Sequence, residues 1–523
     1  MNISTFIPKD RWEKDALRLV IAAFAIKFIL AIVTEFMTDE VYYTLWSYNG
    51  QWSYFDHPAG IGILQRLTTF NGHWVTELSA RLGPMICSVI QAAMVFRIAD
   101  RLSGRHAAWL GVLALTAMPY GNLIAGWMVM PDVPLMTAWM MALAQLVTIL
   151  GEPEEEQFTM KQGVLLGLTL ALALLSKVHG LFLGFGIGLM AITSHRHWWK
   201  KKGWLLCILM GASGILPQLL WNFANGSPMT RYQGGRIGHR IHWDDMFRDL
   251  FAGMGYQNPF VMVLIIGGLV LWIRNNPFTK SAYTRLFLFL SIPLLVAMMG
   301  VALYGDSLPH WTGPTYMTLL PLAAAGSAYA ARPGRYLNWT KGGWWFLQIV
   351  LVAMTLISKF DPFTLGTIKP PAKLGAGDLT LDFTGWKAWK DPLFESLKKD
   401  SIIGKKPDSA WLLSGFHFPA AHIEHYLARP LHLRSMPVGP FYNIHNFYFT
   451  SPKQGGLKPG ENAVWLDITN YDRPLPDAVR DAFGSIGEKM WLPQIRNGGT
   501  VRYLLVTPLY NYRGGIPESG LTN

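Results

Sequence analysis

Polar residues that could do chemistry stand in a few short clusters along an otherwise apolar chain. The first is Met37-Thr38-Asp39-Glu40-Val41-Tyr42-Tyr43, where two adjacent carboxylates follow an apolar run. A carboxylate held there can accept the proton of an attacking hydroxyl. Alternatively, Thr38 or Asp39 caps an interfacial helix. Next comes Trp52-Ser53-Tyr54-Phe55-Asp56-His57-Pro58, in which Asp56 and His57 suit a polar cleft and the rings suit either that cleft or an interfacial aromatic belt. Met130-Pro131-Asp132-Val133-Pro134 opens another apolar run. Asp132 is placed to cap that helix, and the helix N-terminus keeps its carboxylate charged. Lys177 lies in the break Ser176-Lys177-Val178-His179-Gly180. Arg231, Arg236 and Arg240 form a glycine-interrupted cationic stretch, suited to a phosphate or to lipid headgroups. His310 and Trp311 close the series in a very short connection.

The elements that must carry these clusters are membrane spans. Hydrophobic residues make up 51% of the 523 positions and charged ones only 15%, against about 25% charge in soluble domains. The mean hydropathy is +0.23. Eleven runs approach the roughly 20 apolar residues a span requires: 17–37, 78–98, 107–125, 132–150, 162–176, 178–193, 204–222, 259–273, 285–304, 312–330 and 343–358. The two cysteines, Cys87 and Cys207, both sit in apolar runs, which excludes a disulfide framework and a cysteine zinc site.

Charge sets the orientation. Eighteen Lys and Arg flank one set of span ends, from Lys9 to Lys341, whereas the opposite connections hold seven despite being longer. The positive-inside rule places the N-terminus in the cytoplasm and every polar cluster above on the outer face. The formal charge of +12 is thereby a matter of membrane orientation, and nucleic acid is not expected as a partner. Residues 1–358 form the membrane module, with outer loops 38–77 and 223–258. Residues 359–523 form a small outer α/β domain, because short apolar stretches beginning at Ser409, Asn462 and Thr500 alternate with Gly, Pro and Asn turns.

The order Asp39-Glu40-Val-Tyr-Tyr, Tyr54-Phe55-Asp56-His57-Pro58, Ala80-Arg81-Leu82, Pro131-Asp132-Val133-Pro134, Leu174-Leu175-Ser176-Lys177 and Pro217-Gln218-Leu-Leu-Trp221-Asn222 resembles the GT-C superfamily. The resemblance is to its bacterial members near the protein O-mannosyltransferases and the lipid A aminoarabinose transferases. It covers about residues 15–330. It implies an α-helical polytopic GT-C fold of about eleven spans and an inverting transferase in the bacterial cytoplasmic membrane, facing the periplasm. The donor would be a polyprenyl-phosphate sugar, and the acceptor a lipid, glycan or protein hydroxyl. By the same likeness the acidic residue of the first outer loop is Asp39 and the second acidic position is Asp132. Pro58-Ala59 departs from the usual Pro-Pro, and His57 stands where the aminoarabinose transferases have Lys.

On this reading Asp39, Asp132 and Glu40 are the catalytic candidates. Arg231, Arg236, Arg240, His57, Lys177 and His310 are candidates for the departing phosphate, with Tyr42, Tyr43, Tyr54, Asp56 and Trp311 lining the cleft. Asp39, Glu40, Asp132, His57 and His310 include ligand types for a divalent metal, but their spacing matches no metal pattern. Membrane lipids are partners by location. A transporter or flippase of a lipid-linked anionic sugar is the alternative in another class, and a protein acceptor is the alternative within the transferase class. The rings and imidazoles of the tail (Trp386, Trp389, His417, His422, Tyr426 and Tyr442 among them) either grip a sugar acceptor or fill an ordinary core.

Overall fold

A computed structural model of the protein describes residues 10–235, 238, 240–305, 307–367, 371–399, 410–451, 455–471 and 473–515. Up to Phe360 these are largely helical: α1 (Arg11–Val33), α2 (Thr38–Leu45), α3 (Gly60–Thr68), α4 (Glu77–Ser103), α5 (Arg105–Ala117), α6 (Asp132–Leu150), α7 (Met160–Ser176), α8 (Gly180–Thr193), α9 (Lys202–Ser213), α10 (Leu216–Ala224), α11 (Pro228–Gly235), α12 (Trp243–Gly255), α13 (Pro259–Asn275), α14 (Ala282–Tyr304), α15 (Gly313–Gly326) and α16 (Pro333–Phe360). Each of the eleven apolar runs contains helix, although α1 stops at Val33, short of 37, and α5 at Ala117, short of 125. Among the described residues six segments (α1, α4, α6, α9 with α10, α14 and α16) are long and apolar enough to cross a membrane, and α12 with α13, bent by 95°, makes a seventh if the pair is one span. The remaining four runs correspond to α5, α7, α8 and α15, which have 13 to 17 residues. At 1.5 Å per residue these reach roughly 20–25 Å, short of the ~30 Å hydrocarbon core. The chain is a multi-pass membrane protein.

Two compact units divide it. One holds the residues through Leu30, Gln51–Phe70 and Leu78–Val350; the other holds Ala31–Gly50, Asn71–Glu77 and the chain from Leu351 onward. In the first unit α6 is the most enclosed span and α1 and α16 the least. Large side chains such as Ile29, Leu209, Phe223 and Ile349 are left exposed on its helices, as hydrocarbon rather than water requires. Small residues let helices approach closely. A Cβ at Gly163 or Gly203 would collide with backbone across the α7–α9 crossing, and Gly268 and Gly326 do the same for α13 and α15.

The second unit is built on a six-stranded sheet ordered β2-β1-β3-β6-β4, with β5 also paired to β6. Its strands are β1 (Trp411–Ser414), β2 (Arg434–Pro437), β3 (Ala463–Ile468), β4 (Phe483–Ile486), β5 (Met490–Arg496) and β6 (Gly499–Tyr512). β1 runs parallel to β2 and β3, while β6 is antiparallel to β3, β4 and β5. The three stretches expected to be strands are β1, β3 and β6, which are adjacent. Trp411, Leu413, Trp465, Phe483 and Tyr512 form the core on one face. Residues 31–50 are woven into this unit. The Phe36 N–H donates to Tyr426 Oη (2.8 Å), the Phe36 carbonyl meets His422 Nε2 (3.1 Å), and the Trp386 N–H donates to Glu35 (2.7 Å).

Candidate functional site

In the membrane unit, Asp132 and Lys177 meet. Lys177 Nζ donates to Asp132 Oδ2 at 2.8 Å, with side chains 4% and 1% exposed. The two residues are 45 positions apart; packing of α6 against α7 joins them. α7 ends at Ser176 and α8 resumes at Gly180, so Lys177 sits in an interhelical break beside the first turn of α6. Charges at such depth are costly unless paired. The carboxylate does not cap its own helix, contrary to the expectation from sequence, because Pro131 is the cap residue and no side-chain cap bond forms. Its Oδ1 instead accepts from the Tyr120 hydroxyl at 2.8 Å. Tyr120 is fully buried and opens a π-helical turn, Tyr120–Ile124, a distortion frequent at functional sites. Its ring occupies the space a Cβ on Gly313 would fill, which explains glycine at the start of α15. Gln91 secures the approach to α6 by donating to the Ala125 carbonyl and to Thr137.

Three histidines share this neighbourhood, since the fields of Lys177, Asp132, His57 and His310 all act on His179. Burial, followed by the Lys177 ammonium, pushes His310 down to about 4. His310 is therefore neutral at neutral pH. His179 packs edge-on against Trp311 at 6.1 Å. Its Nε2 is buried without a hydrogen-bond partner. Tyr54 and His57 are held by a tight turn in which the Tyr54 N–H donates to the His57 carbonyl, and Asp56 is buried in the same turn. Phe55 lies 4.9 Å from Tyr232, which brings α11 beside that turn. Arg231 on α11 and Arg240 beyond it are exposed. Arg236, with Ile237 and His239, lies outside the described residues. Asp132, Lys177, His57 and His310 are thus brought together. Tyr120 and His179 are additions that sequence reasoning missed; the only signal was that His179 lies in the same break as Lys177.

The acidic pair Asp39-Glu40 belongs to the sheet-bearing unit. Glu40 is fully buried and accepts from the Met37 N–H at 3.0 Å, which secures the start of α2. Asp39 is half-buried, and its charge acts on Tyr471, whose hydroxyl donates to Asp382 at 2.6 Å. Tyr42 accepts from the Asn446 N–H at 3.1 Å and lies 5.4 Å from the His417 ring. Tyr43 is buried against Tyr42 and Trp46. Of the two readings of the tail rings, burial favours the core for four of them. Trp386, Trp389, His422 and Tyr426 are at most 3% exposed, and Trp386 stacks on His422 at 4.2 Å. Their rings already have partners inside the unit; Tyr442, by contrast, is exposed. Among the described residues no three His, Cys, Asp or Glu side chains converge to hold a metal ion.

The family model described as dolichyl-phosphate-mannose-protein mannosyltransferase matches residues 56–221, the stretch containing His57, Asp132 and Lys177. The structure of ArnT from Cupriavidus metallidurans in the apo state aligns with a TM-score of 0.60 at 13% identity, covering 94% of this chain and 97% of that one. ArnT from the same organism bound to undecaprenyl phosphate aligns with a TM-score of 0.59 at 14% identity and the same coverage. A comparison with curated protein sequences returned no match. The chain has the GT-C fold.

Proposed function

We propose that the protein is an integral-membrane inverting glycosyltransferase that moves a sugar from a polyprenyl-phosphate donor to an acceptor hydroxyl on the outer face of a bacterial cytoplasmic membrane. The observation that carries this reading is the buried Lys177–Asp132–Tyr120 constellation within a fold shared with a protein solved with undecaprenyl phosphate. Lys177 has three donors. Asp132 takes one, and the others are free to meet the oxygens of an incoming phosphate. Asp132 has both oxygens engaged, so it serves as the positioning residue for Lys177 and not as a base. The carboxylate cancels the ammonium in the resting protein, and the neutral imidazoles of His179 and His310, with His57 beside them, add hydrogen bonds. When the acceptor oxygen attacks the anomeric carbon, the glycosidic C–O bond to phosphate breaks and charge grows on the departing phosphate. A fixed ammonium in a water-poor site stabilises that charge. The acceptor proton is assigned to Asp39 on the family resemblance, with Glu40 as the helix-starting residue beside it.

The test is direct. Purified protein in lipid nanodiscs is given a labelled polyprenyl-phosphate sugar and lipid, glycan and peptide acceptors in turn, and release of polyprenyl phosphate is followed. Asp39→Asn should cut turnover by about 10²–10⁴-fold with the unfolding temperature unchanged. Transfer within a few-fold of wild type would remove Asp39 from the reaction, and movement of intact donor across the bilayer without cleavage would make the protein a flippase.

A further inference from the structure

A second pocket lies at the other ends of the helices that carry Asp132 and Lys177. It opens between the last turns of α4 and α6 and the first turn of α7, with a volume of about 370 Å³. Met94, Met141 and Leu165 give it apolar walls, and Arg97, Arg101 and Gln145 line it as well. Gln145 stands 13 residues along α6 from Asp132, or roughly 20 Å at the helical rise. The pocket is therefore separate from the constellation above. It also lies where the excess of Lys and Arg flanks the spans.

Three features of its polar lining are left over. Arg97 is exposed and has no carboxylate partner among the described residues. Arg101 meets Glu152 only at 3.9 Å, with that side chain 42% exposed. Gln145 donates weakly to Thr169 at 3.5 Å, while its Oε1 is buried with no hydrogen-bond partner. A buried unpartnered acceptor costs stability unless a donor arrives. Two guanidinium groups one helical turn apart on α4 suit the oxygens of a single phosphate. Apolar walls between spans suit a hydrocarbon chain, and basic pockets between spans bind anionic lipid headgroups.

We infer that this pocket binds an anionic glycerophospholipid bearing a free headgroup hydroxyl, of the phosphatidylglycerol type. Its phosphate lies on Arg97 and Arg101, one acyl chain lies along the walls, and the hydroxyl donates to Gln145. Inorganic phosphate would satisfy the arginines alone. The apolar walls and the unpartnered amide oxygen favour the lipid.

Full-length protein is reconstituted in bilayers of equal phosphatidylcholine and phosphatidylglycerol, released, and the retained lipid read by native mass spectrometry. Phosphatidylglycerol should be retained over phosphatidylcholine, and Arg97→Gln with Arg101→Gln should lower that retention roughly tenfold. Ala144→Phe, which fills the apolar part and leaves the arginines in place, should lower it similarly. Arg97→Gln alone, at an exposed unpaired position, serves if the double variant does not fold, with a loss of several-fold expected. Excess inorganic phosphate should displace nothing. Equal retention of both lipids, insensitivity to all of these variants, displacement by inorganic phosphate, or preferential retention of undecaprenyl phosphate in competition would each overturn the assignment.

Discussion

Lys177 and Arg502 are both buried cations, one in the helical unit and one in the sheet unit, and they do opposite things. Arg502 is fully enclosed. Its Nε donates to Gln494 (2.6 Å), one terminal nitrogen to Asn470 (3.3 Å) and the other to the Thr384 carbonyl (3.0 Å). The rings of Trp386 and Trp389 lie 5.0 and 4.8 Å away. Every nitrogen is in use, so this cation is scaffold. Among the described residues Lys177 has one partner, Asp132, beside an imidazole nitrogen with none. The same chemical type thus signals packing in one unit and a site in the other. The distinguishing feature is unspent hydrogen-bonding capacity, not burial.

The largest expected effect comes from separating those two roles. Lys177→Gln should lower transfer by at least about a hundredfold and destabilise the fold, since it strands a buried carboxylate. Lys177→Met combined with Asp132→Leu should restore thermal stability to near wild type, because apolar replacement of a buried pair is often neutral, yet leave transfer as low as the single variant. Recovery of transfer in the double variant would make the pair scaffold and dissolve the contrast. Arg502→Met should do the reverse. Stability should fall by about 3 kcal/mol, read by denaturant unfolding, while turnover per folded molecule stays within a few-fold.

Acid should separate the units further. Burial pushes His417 and His425 of the sheet unit down to about 4, with Lys387 and Arg429 lowering His425 further and Glu77 opposing them. Each is neutral when folded, and each takes up a proton near its ordinary value of about 6.5 once unfolded. Their contribution is therefore fully present above pH 6.5 and is lost as pH falls from 6.5 towards 4. The denaturation midpoint of this unit should drop across that window and stay flat above it; His425→Gln should flatten the slope. The smallest effect is expected at Arg231→Ala and Arg240→Ala, which should raise the donor KM by roughly two- to five-fold, as exposed charges are well screened. A hundredfold rise would show that these side chains close on the donor.

Much of the scaffold was legible. Hydropathy alone marks helices because lipid demands long apolar runs, and Asp132–Leu150 came out to the residue. β1, β3 and β6 were visible as apolar stretches set off by turn residues. β2 was not, since Arg434-Ser-Met-Pro437 has neither alternation nor β-branched residues and owes its strand to pairing with β1. In the site, Asp132 and Lys177 were each conspicuous as charges at span ends, but no local pattern announces a partner 45 residues away. Tyr120 carried no signal, because its role comes from a π turn and a facing glycine. The tail's aromatics stayed open between sugar grip and core for the opposite reason: composition cannot tell a ring that stacks on a sugar from one that stacks on His422.

The interlacing of residues 31–50 with the sheet unit bears on how the protein is made. That segment leaves the ribosome about 300 residues before the chain from Leu351 that completes its unit. At 5–20 residues per second the wait is roughly 15–60 s. For that interval Glu35 and Phe36 lack Trp386, His422 and Tyr426, and Val41, Tyr42 and Trp46, all buried in the finished protein, have no cover from the tail. A nascent chain arrested before Leu351 should therefore expose a ring-rich segment to chaperones and proteases, and protection of residues 31–50 should arrive only with the last strand, β6.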